Sequence, residues 1–147
     1  MENTMELTLK RVLFFARRLQ DCDPMCVILL VLIDLQVDTH RDGFSYLKYA
    51  IERYYREPGH LQKDIYPAVA EKYSVEINSA QMDTAIRKVI EEAWKRRDER
   101  IWSCYFRPDR NGKVRKPSNA EFIARIAIFV ELWQGCCKGA SVCRTRE

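Results

Sequence analysis

If the stretch from about Ser79 to Arg96 is helical, Gln81, Thr84, Arg87, Lys88, Glu91 and Lys95 fall on one side of it. The chemistry open to such a set is recognition rather than reaction. A glutamine amide can pair with an adenine edge and an arginine with a guanine edge, while Lys88, Lys95, Arg96 and Arg97 are cations suited to phosphates. A plainer account uses the same residues: Arg87 and Lys88 pair with Glu91 and Glu92 at helical spacing, and the face is merely solvated. The residues alone leave both accounts open. A second basic stretch, RPDRNGKVRKP, adds Lys113, Arg115 and Lys116 around a tight-turn dipeptide, Asn111-Gly112.

Other chemistry finds little support. The chain has no glycine-rich phosphate loop, no G-x-S-x-G elbow and no H-E-x-x-H, so an enzyme is not expected. His40 and Cys104 are too remote in sequence to be paired without unconstrained folding. The run VLIDLQV could present Asp34 as a phospho-accepting carboxylate, but no acidic pair on an earlier strand and no later lysine strand accompany it. Cys136, Cys137 and Cys143 lack the paired spacing of a zinc site, and His40 and His60 lie far off, so neither metal nor cofactor is expected.

The positioning elements read as helices, because apolar residues recur at a period near 3.6 and alternation of period two is nowhere sustained. The expected fold is all-α, a compact multi-helix domain. A first helix carries Leu9, Val12, Leu13, Ala16 and Leu19 on one stripe, and DCDP ends it. The apolar run Met25 to Leu35 reads as a buried helix. THRDG makes a turn before a helix from Phe44 to Arg56. In DIYPAVAEKY, Asp64 reads as a cap with Pro67 in the first turn of a helix of about two turns. The connector SVEI leads to Asn78, which with Gln81 forms a capping box for a helix burying Met82, Ile86, Val89, Ile90, Ala93 and Trp94. Two helices joined by a tight turn, the second longer and basic, have the pattern of a helix-turn-helix, a pattern shared by αα-hairpins that bind nothing. RDERIWSCYF gives a short helix at best. Ser118 and Glu121 open a last helix through Trp133, with Gly135 as its stop.

Composition sets the outer bounds. The chain has 147 residues, enough for one domain with a real core, and its 25 basic against 21 acidic residues are unevenly spread. Met1 to Ala80 holds 10 basic and 12 acidic residues, a net of −2, whereas Gln81 to Glu147 holds 15 and 9, a net of +6. A basic half suits a polyanionic partner. Met25 to Ile33 is too short to span a membrane and fails as a signal peptide, and six cysteines without a secretory segment fit a reducing, cytoplasmic setting.

Four blocks then carry a resemblance: VDTHRDGFSYLKYAI, IYPAVAEKY, AIRKVIEEAW and KPSNAEFIA. In that order, over roughly Leu32 to Leu132, the sequence resembles the C-terminal effector domain of the stage-zero sporulation protein A family of response regulators. The resemblance implies a double-stranded DNA partner, a promoter box read by the second motif helix, and a second copy bound in tandem or as a homodimer. It divides the chain into an N-terminal helical extension (1–24), the DNA-binding domain (25–134) and a basic tail with Cys136, Cys137 and Cys143 (135–147). Full-length members place a receiver domain before the effector. None is found in this sequence; for a complete protein that implies control by expression, a partner or the N-terminal helix, with Met5 to Leu19 either a docking helix or a cover for the core.

On this resemblance Gln81, Thr84, Arg87 and Lys88 face bases, and Lys95, Arg96, Arg97, Lys113, Arg115 and Lys116 face phosphates. The family's S-R-V-E-R before A-I-R is replaced by AQMDT, after a connector about two residues longer, so that its base-reading Arg and Glu positions become Gln81, Asp83 and Thr84. The implied function is a DNA-binding transcriptional regulator with an altered box. The alternative is a protein-interaction module that keeps the fold and has lost base reading.

Overall fold

The structure, a computed structural model, describes residues 4–19, 22–58 and 62–144. Seven helices run through them: α1 (Thr4–Arg18), α2 (Pro24–Asp34), α3 (Asp42–Arg56), α4 (Gln62–Lys72), α5 (Ser79–Arg96), α6 (Glu99–Trp102) and α7 (Asn119–Arg144). Among the described residues there is no strand, only an isolated bridge between Pro108 and Val114. The fold is all-α, as the 3.6 period predicts.

The starts of α2 and α7 follow local capping chemistry. Asp23 accepts the amide of Met25 at 2.8 Å with Pro24 in the first turn of α2, and the Ser118 hydroxyl accepts the amide of Glu121 at 3.1 Å at the start of α7. The apolar run becomes α2, with Val27, Ile28, Val31 and Leu32 wholly buried. α7 is the central post, and α1, α2, α3 and α5 all pack on it.

Several local expectations are corrected. α1 buries Thr8, Val12, Phe15 and Ala16, while Leu9 and Leu13 point outward; edge-to-face packing of Phe15 on Phe129 sets the rotation of the helix. α4 begins at Gln62, two residues before Asp64, so Asp64 lies in its first turn and Pro67 beyond it; burial of Ile65 and Tyr66 draws that turn onto the core. α7 does not stop at Gly135. It continues because Cys137 still has a core to enter, its Sγ lying 3.9 Å from the Ala16 carbonyl oxygen.

Gly43 is part of α3 rather than of the preceding turn. A Cβ there would sit 2.4 Å from the carbonyl oxygen of Ala85, so its absence lets α3 cross α5 at backbone distance. Asp34 also has a structural task. It takes Arg11 through two bonds of 2.9 and 2.5 Å and the Tyr105 hydroxyl at 2.6 Å, tying α1 to the end of α2 and to the turn after α6. Thr8 adds a bond of 2.8 Å to the Cys104 carbonyl.

Candidate nucleic-acid interface

α5 spans Ser79–Arg96, the range read from the sequence, and both halves of its capping box are formed. The Asn78 side chain accepts the Gln81 amide at 2.8 Å, and Gln81 Oε1 accepts the Asn78 amide at 2.9 Å. The cap satisfies two orphan amides and also fixes Gln81, leaving its NH2 donors outward. α3, α4 and α7 pack behind this helix, burying Met82, Ile86, Val89, Ile90 and Ala93.

The outward face holds Gln81, Thr84, Arg87, Lys88 and Lys95, all exposed. The Thr84 hydroxyl is bonded back to the Ala80 carbonyl at 2.9 Å. Arg87 pairs with Asp83, one turn earlier. The pairing of Arg87 and Lys88 with Glu91 and Glu92 is not formed. Glu91 takes Lys116 at 3.2 Å and Glu92 takes Arg41 at 3.0 Å, so both acids bind cations from other elements. Among the described residues, Lys88 and Lys95 have no partner, and they are the free cations of the face.

The C-terminal end is built differently. Arg96 donates to the Gln36 carbonyl at 2.7 Å, which holds the α2–α3 loop against α5. Arg97 lies over the Trp94 ring with its guanidinium carbon 3.7 Å from the centroid, donates to the Trp94 carbonyl at 3.0 Å and pairs with Glu99 at 2.8 Å. Its Nε and Nη1 donors are thereby occupied within the protein. Glu99 also accepts the Val114 amide at 2.9 Å, so one carboxylate joins the end of α5 to the basic loop.

That loop is ordered by Asp109. Its carboxylate accepts the amides of Asn111 at 2.9 Å and Lys113 at 3.0 Å, and Gly112 supplies the φ of 76° that the Asn-Gly dipeptide predicts. Lys113, Arg115 and Lys116 are exposed, and Lys116 lies beside α5 through Glu91. Arg87, Glu91, Lys116 and Ser118 line a surface cleft of about 440 Å³ between α5 and the start of α7. The structure thus brings the α5 residues and Lys116 together and holds Lys113 and Arg115 on the adjoining loop.

Three residues that position α5 were not singled out as sites in the sequence: Tyr66, Asn119 and Gly43. Each lies inside a block that carries the resemblance, so the signal was present as pattern without a role. The cysteines described with side chains, Cys22, Cys26, Cys104, Cys136 and Cys137, are thiols, and no group of three metal-ligating side chains occurs among the described residues; His60 and the side chain of Cys143 lie outside them. No described helix is long and apolar enough to cross a membrane.

The described residues thus form an all-helical domain that presents a capped, basic helix beside an ordered basic loop. Residues 28–130 match the family described as sporulation initiation factor Spo0A C terminal. The chain belongs to that family, one of DNA-binding sporulation regulator domains.

Proposed function

We propose that this protein is a sequence-specific, double-stranded DNA-binding transcriptional regulator of the sporulation-initiation type, non-enzymatic and cytoplasmic. α4 and α5 act as its helix-turn-helix, with α5 in the major groove. The observation that carries this reading is the outward face of α5, where Gln81, Thr84, Arg87 and Lys88 are exposed around a capped N-terminal half and Glu91 and Glu92 are bound by cations of other elements. Recognition helices present their N-terminal residues to base edges, which is where these side chains stand.

Lys95, Lys113, Arg115 and Lys116 serve phosphates on this reading, with Arg96 at the margin. Arg97 keeps the interface in shape instead, since its guanidinium is stacked on Trp94 and bonded to Glu99 and the Trp94 carbonyl. A second copy in tandem or as a homodimer fits a short box, because one helix reads only a few base pairs.

A mobility-shift selection from a random duplex library at two salt concentrations tests the function. Enrichment of a motif with steep salt dependence is expected. Absence of retention at low salt rejects it and favours a protein-interaction module, for which the outward Leu9, Leu13, Ile128 and Leu132 offer apolar contact surface.

A further inference from the structure

Asp83 occupies a position that the family resemblance assigns to base reading, yet its carboxylate is turned sideways into the protein. Oδ1 accepts the Tyr66 hydroxyl at 3.0 Å and Asn119 Nδ2 at 3.0 Å. Asn119 also donates to the Asp83 carbonyl at 3.0 Å and to the Tyr66 hydroxyl at 3.3 Å. Oδ2 accepts Nη2 of Arg87. One oxygen is therefore held by α4 and α7, and the other holds Arg87.

We propose that Asp83 is the positioning residue for Arg87, setting its guanidinium for one base edge. This inference rests on the DNA-reading function above. Side chains on a helix lean toward its N-terminus, so a carboxylate four residues earlier lies where an arginine naturally reaches. A free arginine samples many rotamers and finds phosphates as readily as bases. An arginine held at one donor keeps the rest of its planar fork for a bidentate partner such as a guanine edge.

The grip is rigid. Tyr66 and Asn119 are 4% and 7% exposed, and neither can swing without disturbing the core. Burial, with a further contribution from Asp83, pushes the Tyr66 hydroxyl up to about 12, so it remains a donor at neutral pH. The short side chain matters as well. It lets the carboxylate reach Tyr66 and Asn119 while remaining under Arg87, and this accounts for Asp83 as something other than a base reader.

The competing role for Asp83 is simple neutralisation of Arg87, and the two roles predict opposite signs. The test measures affinity of the full chain for its selected duplex, for single-base variants of it and for unrelated duplex. The proteins compared are wild type, Asp83→Ala, Arg87→Ala and the double variant. Positioning predicts that Asp83→Ala loses preference at the base affected by Arg87→Ala, by ~10-fold, within the range of a good bidentate contact. Binding to unrelated duplex should tighten, since a negative charge is removed, and in the Arg87→Ala background the Asp83 change should no longer affect that base.

Unchanged or sharper discrimination in Asp83→Ala overturns the proposal. Should Asp83→Ala lose its helical circular dichroism, Tyr66→Phe decides, because it deletes one bond to Oδ1 and little volume; a smaller loss at the same base supports positioning, and no change there refutes it. A wild type that enriches no motif fails at the earlier step and removes the DNA-reading function itself.

Discussion

Replacing Gly43 by alanine puts a methyl group where the carbonyl oxygen of Ala85 leaves 2.4 Å, and neither backbone can yield without moving a helix. The expected cost is about 1–3 kcal/mol, the usual penalty for overpacking, read as a lower urea midpoint. At Tyr66 the folded state holds the proton more tightly than the unfolded chain, because burial and Asp83 raise its pKa to about 12 from 10.0. Its contribution is full below pH 10 and is lost as pH rises through 12. Urea unfolding from pH 8 to 12 should therefore show Tyr66→Phe costing most at the neutral end and least at the alkaline end. Neither role was legible from residue type. Gly43 closed the turn-like THRDG, and Tyr66 stood in IYPAVAEKY without a role, because what each meets lies 42 and 53 positions away in the chain, at Ala85 and Asn119.

The elements were far more legible than their rotations. The range of α5 followed from its cap and its apolar stripe, both local signals, whereas the buried face of α1 depended on where Phe129 stands. Leu9 and Leu13 have the right spacing for a core face, and only packing against α7 turns Phe15 inward in their place. Two element-level outcomes follow. Asn78→Ala removes the capping box and should cost about 1 kcal/mol in denaturant unfolding. Arg11→Ala breaks a partly buried pair and leaves Asp34 with Tyr105 alone, which should cost about 1–3 kcal/mol and expose α1 first to limited proteolysis. A variant that unfolds as the wild type does would mean that α1 is held without the Arg11–Asp34 pair.

At the scale of the molecule, charge is divided, with a net of +6 after Ala80 and −2 before it. That division was readable, but not which cations are available. Lys88 and Lys95 are unpaired, Lys116 is shared with Glu91, and Arg97 is folded inward. Lys95→Ala should reduce the slope of log affinity against log salt by about one and weaken all duplexes alike. Arg97→Ala should act mainly through stability, with the loss seen in unfolding before it is seen in binding.

The Glu99 carboxylate that joins Arg97 to the Val114 amide has a thermodynamic consequence. With the loop ordered before any ligand arrives, association carries little of the heat capacity and entropy change of coupled folding, and calorimetry should report a heat capacity change close to that of rigid-body docking. Glu99→Gln, which weakens the tie and preserves the shape, should make that change more negative while leaving the positive charges of the surface untouched.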